Sequence, residues 1–187
     1  TLAVCASHPR LLPVLTVRPL HYLDCVEELA TARERGFCLV RFFPHEQGWT
    51  AGHLCFRRLV EPLVAAGLPV FYNFLDEADP GRPIPMLVDY FQGSDLPLIF
   101  GSVSYALGEF LAACEVYPQC YTDTAQLFLF NEIEIIRDRV GIEHVLFGSR
   151  APFDNPGAPL AVVRHARLTE EEKAAVLGAN AARLVGR

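Results

Sequence analysis

Apolar residues along this chain come in short, near-continuous runs, separated by stretches whose apolar positions recur at helical spacing. Leu12–Val17, Phe37–Phe43, Leu68–Phe74, Leu96–Ser102, Gln119–Thr124 and Glu143–Ser149 read as strands. Between them, His21–Arg35 carries Tyr22, Val26, Leu29 and Ala30 on one helical face and stops at Gly36. His53–Ala66 reads as a second helix, ending at Gly67, and Pro44 closes the strand that precedes it. A Pro/Gly-rich link, Asp79–Pro85, leads into a helix that runs to about Phe91. Ala106–Cys114 and Phe128–Val140 supply two more helices. Thr169 followed by Glu172 is a capping box that opens a final one.

Strand runs that do not alternate with polar residues belong to parallel sheets covered on both faces. Six strands with five strand-helix steps fit either an open parallel sheet or a barrel. A closed barrel of this kind needs eight strands, and six would leave two hydrophobic edges. The chain starts at Thr1, within a helix-like segment, so the expectation is a single α/β domain over 1–187 that lacks its first two strands.

Composition narrows the function classes. At 187 residues and 51% apolar the chain can bury one sizeable core. A net charge of -6 without a basic run argues against nucleic acid as a partner. No apolar stretch is long enough for a membrane span. The cysteines, Cys5, Cys25, Cys38, Cys55, Cys114 and Cys120, form no C-x-x-C pair, which suggests structural thiols of a cytoplasmic protein and not a zinc site. There is no G-x-S-x-G, P-loop or G-x-G-x-x-G.

The segment Val145-Leu-Phe-Gly-Ser-Arg150 delivers Arg150 to the C-terminal end of a strand, where the chemistry of parallel sheets and barrels is found. It resembles the last-strand motif of the metal-dependent amidohydrolases. Other segments fit the same family in order: His8-Pro9-Arg10, Gly36-Phe37-Cys38-Leu39-Val40-Arg41, Gly67-Leu68-Pro69-Val70, Leu96-Pro97-Leu98-Ile99, Tyr121-Thr122-Asp123-Thr124 and Asn180-Ala181-Ala182-Arg183-Leu184. The resemblance covers the whole chain and is to the branch that contains aminocarboxymuconate-semialdehyde decarboxylase. It implies a (β/α)8 TIM barrel with about six strand-helix units present here, and often a homodimer. It also implies zinc or another divalent metal held by histidines and an aspartate at the strand ends.

The matching positions that can be read hold Asn73, Ser102 and Arg150 instead of His, His and Asp. Asparagine and serine are poor ligands for first-row metals, and a guanidinium never ligates. Bound metal is therefore not expected. Arg41, Asn73, Ser102 and Arg150, with Asp123 beside them, would instead ring the mouth as a cradle for a small carboxylated molecule. Another reading pairs Arg150 with Asp123 as a buried ion pair and gives Asn73 and Ser102 to the backbone. His45 and Glu46, after the second strand run, and Asp123 are the candidate catalytic residues. His45 and Glu46 can equally be solvated loop groups. Trp49 is expected to line the mouth, and His144 is expected at the surface or at a helix cap. The expected function is hydrolase- or decarboxylase-like, and the alternative is a pseudoenzyme that binds a ligand or a partner protein.

Overall fold

The computed structural model describes residues 1–74 and 82–186. Six strands form one sheet: β1 (Val14–Thr16), β2 (Leu39–Phe42), β3 (Val70–Asn73), β4 (Leu98–Gly101), β5 (Cys120–Asp123) and β6 (Val145–Leu146). Their order in the sheet is their order in the chain, and every neighbouring pair is parallel. An open doubly wound sheet reverses its strand order at a switch point. This sheet never reverses, which is the progression of a (β/α) barrel. Among the described residues β1 and β6 do not pair, so the barrel is not closed.

The helices are α1 (Leu2–Ser7), α2 (Tyr22–Ala32), α3 (Pro44–Gln47), α4 (Leu54–Ala66), α5 (Pro83–Phe91), α6 (Leu107–Val116), α7 (Glu132–Arg139), α8 (Gly157–His165), α9 (Glu170–Ala174) and α10 (Asn180–Leu184). A π-helical turn, Ala175–Ala179, joins the last two. The link Asp79–Pro85 lies partly outside the described residues, and Pro83–Pro85 form the first turn of α5. The capping box is present: Thr169 Oγ1 accepts from the Glu172 N–H, and the Glu172 carboxylate accepts from the Thr169 N–H.

The two-residue period of the strands sorts side chains onto two faces. Val40, Phe42, Val70, Tyr72, Leu98, Phe100, Cys120 and Val145 point outward into the main core beneath the helices. Phe71, Ile99 and Leu146 point inward, with Leu39, Tyr121, Ala181 and Leu184 packed on them. Within the outer core Phe56 is completely buried. Its ring stacks on Trp49 at 5.0 Å and meets Phe42 edge-on at 5.3 Å. Arg33 ties α2 to the end of α4 by donating to the Ala66 and Gly67 carbonyls.

Four expectations need correction. The helix read as Phe128–Val140 begins at Glu132, because Asn131 sits at φ 61° and the Glu132 carboxylate caps the Leu129 N–H at 2.8 Å. The strand read as Glu143–Ser149 is two residues long. A 3₁₀ turn, Ile142–His144, precedes it, and after Leu146 the chain bonds to the Thr124 side chain instead of a neighbouring strand. Trp49 does not line the mouth; it is buried between sheet and helix, with its Nε1 donating to Gln47 Oε1. His144 is not a surface residue; it is buried, and its Nδ1 lies 2.6 Å from the Cys120 carbonyl. Helices α3 and α8 were not foreseen.

The aromatic packing yields a prediction. Phe56→Ala should cost about 3–5 kcal/mol. Urea unfolding followed by fluorescence checks this, since Trp49 is the single tryptophan and stacks directly on Phe56.

Candidate functional site at the strand C-termini

The inward-facing residues nearest the C-terminal strand ends are polar, in contrast to the apolar layer below them. Arg41 ends this face of β2, Asn73 of β3 and Asp123 of β5, and Gly101 takes the equivalent place on β4. Strand register sets Arg41 level with Phe71, and Asn73 level with Gly101. Glycine is required at 101 because a Cβ there would lie 2.6 Å from the Phe71 ring and 3.3 Å from Asn73 Oδ1.

Asp123 is buried, and the backbone is folded around it. Its Oδ1 accepts from the Ser102 and Ala125 N–H groups at 3.4 Å each. Gly148, just past β6, presses against the other oxygen: a Cβ at 148 would lie 2.3 Å from Asp123 Oδ2. Burial is the main influence on this carboxyl and raises its pKa. The Ser102 and Ala125 N–H groups and the Arg41 and Arg150 charges oppose that rise only partly.

Arg41 is held between two aromatic faces, its guanidinium carbon 4.4 Å from the Phe71 centroid and 4.7 Å from that of Phe43. Its Nε is enclosed and has no hydrogen-bond partner among the described residues. Burial pulls its pKa below the usual arginine range, against the attraction of Asp123 and Glu46.

The structure brings Arg41, Asn73, Ser102 and Asp123 together at one end of the sheet. Asn73 and Ser102 are buried, and Ser102 contributes its N–H from a left-handed backbone at φ 68°. Arg150 reaches the same rim but does not pair with Asp123. Its Nη1 lies 2.8 Å from Asp154 Oδ2, which corrects the expected buried ion pair. The i,i+4 partner lies within the same turn as Arg150, and the Asp123 carboxyl takes its hydrogen bonds from two backbone donors instead. His45 and Glu46 sit exposed on α3, where Glu46 is within electrostatic range of Arg41 but neither joins the cluster.

Sequence reasoning missed Glu132. This buried carboxylate accepts from Ser104 Oγ at 2.6 Å and from the Leu129 N–H, fastening the loop after β4 to the loop after β5. Its one sequence signal was Asn131 ahead of an acidic first turn.

Comparison with known proteins follows the same lines. The amidohydrolase family profile matches residues 1–187. Among curated protein sequences none matches this chain. A TIM-barrel protein from Bordetella bronchiseptica superposes with a TM-score of 0.81 at 16% identity, over 100% of this chain and 72% of its own. A 5-carboxyvanillate decarboxylase from Sphingomonas paucimobilis gives 0.79 at 17% identity, over 99% and 70%. Another such decarboxylase, from Novosphingobium aromaticivorans, complexed with manganese and 4-hydroxy-3-methoxy-5-nitrobenzoic acid, gives 0.76 at 15%, over 100% and 67%. At these identities the likeness concerns the fold alone.

The raised pKa of Asp123 has a definite sign in stability. The folded state holds the proton more tightly than the unfolded chain, where aspartate titrates near about 3.9. Stability is therefore greatest below that value and falls as pH rises through the folded pKa. Asp123→Asn keeps an acceptor for both N–H groups and removes the charge. Thermal unfolding across pH should show the variant gaining on the parent as pH rises from acid to neutral; parallel curves would contradict the assignment.

Proposed function

The chain belongs to the amidohydrolase family, and on that premise we propose that its strand-end cluster binds a small carboxylated molecule for hydrolase- or decarboxylase-like chemistry. The observation that carries this reading is Arg41. A guanidinium stacked between Phe43 and Phe71, with an enclosed Nε lacking a partner among the described residues, is a charge held in position and not consumed by an ion pair. Charge-assisted bonds from arginine to carboxylate are among the stronger hydrogen bonds, and the planar fork favours that geometry. The flanking rings suit an aromatic acid, in keeping with the carboxylated aromatics named for the decarboxylase neighbours.

We assign the proton-holding role to Asp123, whose carboxyl pKa burial raises. Two backbone donors occupy its Oδ1, so the proton resides on Oδ2, beside Gly148. Donating it leaves a carboxylate within the fields of Arg41 and Arg150, which lowers the cost of the charge formed. Asn73 adds an amide next to the same space.

The family's divalent metal does not fit the residues present. The positions that the resemblance assigns to ligands carry an amide, a hydroxyl and a guanidinium. This misfit favours, as a second reading, a barrel that binds the carboxylate without turning it over.

Titration with benzoate and its hydroxylated derivatives tests the proposal. Arg41→Gln should weaken binding by about ten- to hundredfold, the loss of a charge-assisted bond of about 1.5–3 kcal/mol, while Asp123→Asn should bind normally. Equal affinity in parent and Arg41→Gln would rule the site out. Carbon dioxide release or hydrolysis that Asp123→Asn abolishes separates the enzyme from the simple binder. Dialysis against zinc and manganese should leave much less than one metal per chain.

A further inference from the structure

Among the described residues four phenylalanine and tyrosine side chains are exposed: Tyr105, Phe128, Phe130 and Phe153. All four lie on loops that leave the C-terminal ends of strands, Tyr105 after β4, Phe128 and Phe130 after β5, and Phe153 after β6. Single exposed apolar residues are ordinary on a protein surface, but apolar residues gathered at one end of a sheet mark a binding surface. This is the end that carries Arg41, Asn73, Ser102 and Asp123.

Two of these rings are held in place. Tyr105 and Phe128 meet edge to face, with centroids 6.0 Å apart and planes at 74°. The backbone beneath them is tied from both sides by the buried Glu132. Its Oε1 accepts from Ser104 Oγ at 2.6 Å, next to Tyr105, and its Oε2 accepts from the Leu129 N–H at 2.8 Å, next to Phe128. A buried carboxylate is costly unless it is hydrogen-bonded, and the bonds this one makes join the two aromatic loops. The loop after β4 also serves the strand-end cluster: Ser102, three residues before Tyr105, donates its N–H to Asp123 Oδ1. Three residues of chain span at most about 11 Å, so the aromatic pair stands beside the cluster.

Arg41 lies on β2, and the loop that carries Tyr105 follows β4. Two strand spacings, about 10 Å, separate them. A one-ring acid held by its carboxylate at Arg41 falls short of Tyr105, whereas an acid with a second ring beyond the first reaches it. We propose that Tyr105 and Phe128 form an aryl subsite for the far, apolar end of a carboxylated ligand held at Arg41, which makes extended aromatic acids the preferred class over benzoate itself. The inference rests on the assignment of Arg41 to a carboxylate and adds the length and chemistry of the rest of the ligand. Two rings set at an angle offer an edge and a face to an incoming ring, and their exposed surfaces lose water on contact.

Calorimetric titration of the full chain with benzoate and with biphenyl-4-carboxylate tests this. The parent should bind the two-ring acid about tenfold more tightly, as an aromatic contact with its buried area supplies. Tyr105→Ala and Phe128→Ala should each narrow that ratio to about threefold or less; both side chains are exposed, so neither change opens a cavity in the core. Arg41→Gln should weaken both acids alike and keep the ratio. Equal affinities in the parent, or a preference that both alanine variants retain, would overturn the aryl subsite and leave the Arg41 site standing. If Arg41→Gln weakens neither acid, it is the strand-end site that fails, and the subsite fails with it. Sedimentation velocity covers the other occupant: a dimer that Phe128→Ala dissociates, with the ratio unchanged, would make the rim an interface between copies of this chain and overturn the proposal.

Discussion

The structure depends on the burial of the outer face of a parallel sheet beneath its helices. Val40, Phe42, Val70, Tyr72, Leu98, Phe100 and Val145 project outward from successive strands, and Leu29, Phe56, Leu63, Leu87, Phe91 and Phe110 meet them from the helices. Parallel neighbours require a crossover between every pair of strands, and each crossover helix brings its own apolar face to this layer. The Thr122 hydroxyl in this layer is satisfied internally, with Oγ1 donating to the Phe100 carbonyl at 2.8 Å. The alternation then fixes everything on the inner face, because a strand held by its outer residues has no freedom over where the remaining ones point.

The inner face divides along the strands. Phe71, Ile99 and Leu146 make an apolar layer, sealed by Ala181 and Leu184 of the last helix. Asn180 anchors that helix, its Nδ2 donating to the Ile142 and Val145 carbonyls at 2.9 Å each. Above this layer the polar groups sit where strands end and loops begin, so backbone N–H groups are free to serve side chains. That is why Asp123 can be buried at all: the turns after β4 and β5 supply two donors, and Gly148 allows the chain after β6 to pass against it. The cost of that burial persists as a raised pKa, and the nearby Arg41 and Arg150 charges offset part of it.

The two faces of β5 consequently carry separate chemistries. Tyr121 and Asp123 face inward, while Cys120 faces the helices and meets Cys114 and His144. One strand therefore carries a buried carboxyl on one side of the sheet and a buried thiol on the other.

Much of the architecture was legible in the chain. The continuous apolar runs specified parallel strands, Gly67 and Gly36 marked helix ends, and Thr169 with Glu172 announced a cap that forms as written. The resemblance of their segments to the family's strand motifs is what pointed to Arg41, Asn73, Ser102 and Asp123 at strand ends. What the sequence could not decide were choices between competing partners. Arg150 binds Asp154, four residues away, and leaves Asp123 to backbone donors. Trp49 reads as a loop residue and His144 as a surface or capping one until the helices close over them. Glu132 gains its role from Ser104, which lies on another segment. Hydrophobic period is set by neighbours along the chain, and one sequence suffices to read it. The partner of a polar group is set by which distant segments arrive beside it and what they have already bonded, and only the folded chain settles that.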